Sequence, residues 1–249
     1  MTAAADGRET ADETRLVAEG IVTGYEAHEV LHGVSIESRE GITCIFGPNG
    51  SGKSTLLKAI NGILPVWEGE VRFGETSLTD LDPEEIVRSG VVTLPQGGGV
   101  FTTLTVRENL KLGGFIVEDQ DVVRERMDHV LNTFPDLEGK LDAKTKSLSG
   151  GQQMMVSLGR SMMTGADIYL MDEPSAGLAP TLVEEAFELI ETLIDQGAHV
   201  IVVEQNVRAA LPLAEYVYIL AEGEMQFAGP PSELADRDEL LEVYLGIGG

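Results

Sequence analysis

Near its amino end the chain alternates apolar and polar residues, from Leu16 to Ile21 and again from Val30 to Ile36, as strands do when one face is buried and the other wet. Gly24-Tyr25-Glu26 lies between the two and reads as their turn. Further on, the alternation gives way to short unbroken apolar runs, the pattern of strands buried on both faces: Gly41 to Phe46, Val91 to Leu94, Ile168 to Met171 and Val200 to Val203. Helical spacing fills much of the rest. Leu56, Leu57 and Ile60 predict a helix from Ser51 to Asn61, with Gly62 where it stops. Pro83 to Arg88 predicts a helix with proline in its first turn, and Leu182 to Leu193 an amphipathic helix. Gly69 to Gly74 reads as a hairpin strand, and Tyr216 to Leu220 with Met225 to Ala228 as a closing hairpin. Pro231 to Leu245 reads as a helical tail.

From Thr105 to Lys146 no alternating run occurs, and Val106 to Leu112 and Val122 to Phe134 carry apolar residues at helical spacing. This predicts a helical lobe inserted into the rest. Leu148-Ser149-Gly150-Gly151-Gln152 then opens a helix that runs through Met155, Leu158, Gly159 and Met162. Met1 to Thr14 holds Asp6, Glu9, Asp12 and Glu13 among Ala and Thr, with no apolar core of a secretory signal and too much acid for a transit peptide. A disordered acidic leader is expected over residues 1–15. No apolar run is long enough to span a bilayer.

Composition changes this picture in two ways. The 249 residues carry 42 acidic against 17 basic side chains, a net charge of −25, and only six of the basic ones are lysines. Such a surface repels nucleic acid and anionic lipid, so neither is an expected partner. It suits a protein kept dispersed in concentrated salt, where screening removes the self-repulsion, although an unusually acidic protein of an ordinary host fits too. The single cysteine, Cys44, falls inside a buried strand, which excludes an internal disulfide and points to a reducing compartment.

The chemistry is concentrated in Gly47-Pro48-Asn49-Gly50-Ser51-Gly52-Lys53-Ser54-Thr55, which fits G-x-x-x-x-G-K-[ST] without a mismatch and lies between a predicted strand and a predicted helix. Its glycines let backbone N–H groups approach phosphate oxygens at the positive end of a helix. Lys53 supplies a mobile charge for the β- and γ-phosphates, and the Ser54 hydroxyl is placed to ligate Mg²⁺. The buried run Ile168 to Met171 leads straight into Asp172 and Glu173: one carboxylate to hold the metal, usually through water, the other to polarise an attacking water. Gln96, at a strand end before Gly97 to Gly99, reads either as a sensor or as part of a plain turn. Tyr25 is either a ring for a base to stack on or a packed tyrosine. Ser149, Gly150 and Gly151 make a second anion-binding helix start, and one active site has no use for two.

With Gly47–Thr55, Gln96, Leu148–Gln152, Ile168–Glu173 and Glu204–Gln205 in this order, residues 16 to 245 resemble the nucleotide-binding subunit of an ATP-binding-cassette (ABC) transporter. The resemblance implies an α/β fold, a P-loop NTPase cassette whose RecA-like core carries an antiparallel β subdomain and an inserted helical subdomain. The domain would span 16–249, with core and β subdomain in 16–96 and 153–249 and the helical subdomain in 97–152. It implies ATP and Mg²⁺, with Ser54, Gln96 and Asp172 at the metal and Glu173, Gln205 and Gln96 in catalysis. Tyr25 would stack on adenine, while Ser149, Gly150, Gly151 and Gln152 would contact ATP held by the opposite subunit. The implied partners are a second cassette, identical or different, packed head to tail, a transmembrane permease, and through it an extracytoplasmic solute-binding protein. The implied location is the inner face of the cell membrane.

Gln205 stands where most members have a histidine, and Ala179 where many have aspartate. A glutamine still bonds to phosphate but has no titratable proton to shuttle. Gly177-Leu178-Ala179-Pro180, Val203-Glu204-Gln205-Asn206, Leu112-Gly113-Gly114-Phe115 and Tyr244-Leu245-Gly246 look like the second ATPase of branched-chain amino-acid importers. Gln96-Gly97, where that group often carries Glu-Gly, is a feature of its urea and short-chain amide relatives. ABC ATPases that never transport, such as ribosome-associated factors and DNA-repair machines, usually show tandem cassettes, coiled coils or basic patches, which this sequence lacks.

Overall fold

The computed structural model describes residues 14–235. Most of the expected leader, the tail beyond residue 235 and Tyr244-Leu245-Gly246 lie outside them. Each unbroken apolar run forms a strand of one six-stranded sheet. The closing hairpin supplies the other two, and the order across the sheet is β10 (Glu224–Gly229), β9 (Ala214–Ala221), β3 (Ile42–Phe46), β8 (His199–Glu204), β7 (Ile168–Asp172) and β6 (Val91–Leu94). β9, β3, β8, β7 and β6 run parallel, and β10 closes the edge antiparallel to β9. The two alternating segments form β1 (Leu16–Tyr25) and β2 (His28–Glu37). With β4 (Glu68–Phe73) and β5 (Thr76–Ser77) they build a separate antiparallel sheet of order β2-β1-β4-β5.

Successive side chains of a strand point to opposite faces, so the buried runs serve two cores. Ile42, Cys44, Phe46, Tyr169, Met171, Val200 and Val202 pack on one side, against α5 (Gly150–Met162) and α6 (Pro180–Ile194). Ile45, Ile168, Leu170, Ile201 and Val203 pack on the other, against α1 (Lys53–Ile60) and the antiparallel sheet. The architecture is the α/β cassette fold with its β subdomain.

Between β6 and β7 the described chain forms no strand. It holds α3 (Val106–Gly113), α4 (Gln120–Thr133) and α5, and the expected seam between residues 152 and 153 lies inside that last helix. α3 meets α5 at backbone distance: a Cβ on Gly113 would lie 1.9 Å from the Arg160 carbonyl oxygen. The remaining helices are α2 (Pro83–Arg88), α7 (Val207–Ala210) and α8 (Pro231–Ala235).

The first turn differs from its sequence reading. β1 continues through Gly24 and Tyr25, and the chain reverses at Glu26, which takes φ +56°. Gly24 serves close strand approach instead, since a Cβ there would lie 1.9 Å from the His28 carbonyl oxygen.

Candidate functional site

The parallel strands bring their carboxyl ends to one edge, where open α/β sheets carry their ligands. Phe46 is level with Glu204, and Asp172 with Val203. The loop after β3 turns there into α1. At Gly47 a side chain would run into the Leu220 carbonyl oxygen, 2.0 Å from the Cβ position. At Gly52, the residue capping α1, φ is +106° and a Cβ would meet Leu31 Cδ2 at 2.6 Å. Lys53 Nζ curls back to donate to the carbonyls of Gly47 (2.7 Å) and Pro48 (3.1 Å). Burial pushes its pKa down, opposed by the carboxylates of Glu173, Asp172 and Glu204. The Ser51 hydroxyl is buried within the loop with no hydrogen-bond partner, a donor left over for an anion. These features fit a triphosphate.

Ser54 Oγ donates to Asp172 Oδ1 at 3.1 Å, which joins the phosphate loop to the end of β7. Gln96, in the 3-10 turn after β6, donates through Nε2 to Glu173 Oε2 at 3.0 Å. It therefore sits in a turn and also touches the site. Ser54, Asp172 and Gln96 offer a hydroxyl, a carboxylate and an amide oxygen. No group of three or more His, Cys, Asp or Glu among the described residues forms a metal cage. Few protein oxygens completed by phosphate is the set that suits Mg²⁺.

Glu173 has φ +48°, rare for a residue with a side chain, and its N–H donates to the Val203 carbonyl at 2.8 Å. Glu204 gained no role from the sequence beyond its place in the motif order. It is buried, and accepts from the backbone N–H of Ser175, Gln205 and Asn206. Gln205 is exposed one residue beyond β8. Ala179 occupies the cap position of α6 and offers no side-chain oxygen to its first turn.

Tyr25 ends β1 with its ring exposed beside α1. Lys58 Nζ donates to its hydroxyl at 3.1 Å and lies 5.4 Å from the ring centroid. That hydrogen bond is the main cause of its lowered pKa. At the start of α5, Ser149 and Gln152 close a reciprocal cap: Gln152 N–H donates to Ser149 Oγ, and Ser149 N–H to Gln152 Oε1. No hydrogen bond joins them to Gly47–Thr55 of the same chain. Glu185 on α6 fills the space beside Gly151, where a Cβ would lie 1.9 Å from its Oε1. The sequence did not single Glu185 out, for it is one of two adjacent glutamates on an amphipathic helix.

A family model described as ABC transporter matches residues 31–176. The branched-chain amino acid transport ATP-binding protein BraG of Pseudomonas aeruginosa is 38% identical over 227 residues, 91% of this chain and 97% of that protein. A probable branched-chain amino acid transport ATP-binding protein, LivF, of Archaeoglobus fulgidus is 36% identical, over 90% of this chain and 95% of its own. The lipopolysaccharide export ATP-binding protein LptB of Escherichia coli is 31% identical over 93% of this chain and 97% of its own. Among solved structures, an ABC transporter cassette in its ADP conformation superposes with TM-score 0.83 at 30% identity, covering 93% of this chain and 98% of the other.

Fold and site thus define a P-loop ATPase. The chain belongs to the ABC transporter family as its ATP-binding subunit, an enzyme that hydrolyses ATP with Mg²⁺.

Proposed function

We propose that this subunit drives the import of branched-chain amino acids through a separate membrane permease. The observation that carries its motor role is the pair of contacts Ser54–Asp172 and Gln96–Glu173, which gathers phosphate loop, metal ligands and base at one sheet edge. Lys53, Ser51 and the loop amides hold the triphosphate, with Tyr25 beside its base. Ser54, Asp172 and Gln96 would hold Mg²⁺, which when bound would supply positive charge against the phosphates. Glu173 orients and deprotonates the attacking water, and Gln205 donates a hydrogen bond to the γ-phosphate.

Ser149 to Gln152 serve a second cassette, because the α5 start makes no hydrogen bond to its own phosphate loop. Two copies, or this chain and a different cassette, therefore enclose two ATP molecules head to tail. The permease docks on the helical segment between β6 and β7, where Phe101, with Arg160 over its ring, Leu112 and Phe115 are exposed, Phe115 by 85%. Among the described residues no helix is long and apolar enough to cross a membrane, so the permease holds the subunit at the inner face. A solute-binding protein acts on the far side.

The substrate class rests on the BraG and LivF relatives. In proteoliposomes holding the assembled transporter, Leu, Ile or Val should stimulate ATP hydrolysis. Stimulation by urea or short amides instead would favour the reading of Gln96-Gly97, and stimulation by neither would sink import of both classes. Glu173→Gln should cut hydrolysis by on the order of a hundredfold or more while preserving ATP binding. Asn49→Cys with Ser149→Cys should crosslink between subunits only with ATP present.

A further inference from the structure

Among the carboxylates at the sheet edge, Glu204 has no part in this chemistry, yet it is the most deeply buried, at 1% exposure. A buried charge is costly unless hydrogen bonds satisfy it. Here three backbone donors do so, and its two oxygens serve different loops. Oε1 accepts from Ser175 N–H at 2.8 Å, in the segment that follows Glu173. Oε2 accepts from Gln205 N–H at 3.0 Å and Asn206 N–H at 3.1 Å.

The neighbouring backbone explains why such a tie is needed. Glu173 sits in the left-handed region at φ +48°, a conformation that persists only where its surroundings hold it. Its own N–H is held by the Val203 carbonyl at 2.8 Å, and its carbonyl by Ala176 N–H at 3.0 Å. The Ser175 bond to Glu204 completes the clamp, so the last two residues of β8 grip the chain on both sides of the Glu173 carbonyl. We infer that Glu204 is a positioning residue of the ATPase: its carboxylate locks the turn at Glu173 and fixes the spacing between Glu173 and Gln205. The inference rests on Glu173 as the base.

Glu204→Gln tests it at constant shape. An amide has one oxygen, and its other end is a donor. If that oxygen keeps Gln205 and Asn206, the NH₂ group faces the N–H of Ser175, donor against donor. The variant thus releases the turn after Glu173 while leaving the rest packed. The expected result is a fall in kcat of on the order of ten- to a hundredfold, with the ATP Kd within about twofold of wild type. Amide exchange at Ser175 should accelerate in the same variant. A purely electrostatic action on Lys53 would instead weaken ATP binding.

A kcat unchanged within about twofold, or a loss confined to ATP affinity, overturns the inference. Glu173→Gln run in parallel separates the two levels. If it keeps turning over, the base assignment fails. If it is dead while Glu204→Gln works normally, only the role of Glu204 fails. Should Glu204→Gln not fold, exchange in the wild type decides: Ser175 N–H as protected as the amides of β8 supports the clamp, and rapid exchange there overturns it.

Discussion

Lys53 is pulled in two directions. Burial disfavours its charge, while three carboxylates and the incoming phosphates favour it, and the net effect on the free protein is a lowered pKa. ATP binds the charged lysine, so affinity should decline as pH rises through that lowered pKa, starting below the ordinary lysine range. Stability has the opposite sign: the unfolded chain holds the proton more tightly, so folding is favoured as pH rises through the same window. Titrating a fluorescent ATP analogue from neutral to alkaline pH, beside thermal unfolding, checks both. An alkaline limb of binding seen only in the ordinary lysine range would contradict the assignment, and Lys53→Ala should bind weakly without any such limb. Lys53, Asp172 and Glu173 were legible in the sequence because they sit in patterns with fixed spacing. Glu204 and Glu185 were not, since in a chain with 42 acidic residues nothing local tells a carboxylate buried under backbone donors, as Glu204 is, or one filling the space beside Gly151, as Glu185 is, from a wet one.

The elements joining Gln96 to the α5 start form a connected unit. Gly97, Gly98 and Gly99 all have positive φ, and the turn they make is pinned to α5 by Ser157 Oγ to the Gly98 carbonyl and by Arg160 Nη1 to the Gly99 carbonyl at 2.7 Å. Below it, the fully buried Asn109 of α3 staples the chain before α3 to that before α5. Its Oδ1 accepts from Phe101 N–H, and its Nδ2 donates to the carbonyls of Phe101 and Thr105 and to Thr145 Oγ1. Asn109→Ala should therefore cost about 2–4 kcal/mol, because it removes four hydrogen bonds and leaves the Phe101 N–H without its acceptor. Calorimetry should find Tm lowered by about 5–15 °C. Asn109→Asp should do no better, since Thr145 already donates its hydroxyl proton to Leu104 and an added oxygen would face acceptors alone. A shift of less than a degree or two in both variants would mean the staple is slack. Helix α2 and strand β6 match their sequence readings residue for residue, because proline and an unbroken apolar run mark them locally. The turn after β1 was misplaced for a related reason: a glycine serves close strand approach as readily as a reversal, and only the partner strand decides which.

For the whole molecule the governing quantity is the net charge of −25, which two associating copies would double. Ion pairs among the described residues engage Glu29, Glu37, Glu84, Glu108, Asp121 and Asp142, so most of the described carboxylates have no cation at ion-pair distance. Repulsion between two such surfaces acts over about 10 Å at 0.1 M salt and about 3 Å at 1 M. The proposed dimer encloses its ATP between facing loops, so repulsion of that range opposes closure in dilute buffer and fades in molar salt. ATP adds further negative charge to each face, which sharpens the dependence. Sedimentation of Glu173→Gln with Mg²⁺ and ATP should accordingly find association that strengthens from 0.1 to about 2 M KCl. Sucrose at equal osmotic strength should not reproduce that gain, since screening requires ions and exclusion of sucrose from the surface adds only to burial. Tighter association at the low-salt end would mean that local contacts outweigh net charge, and would remove the case for a host with concentrated salt inside its cells.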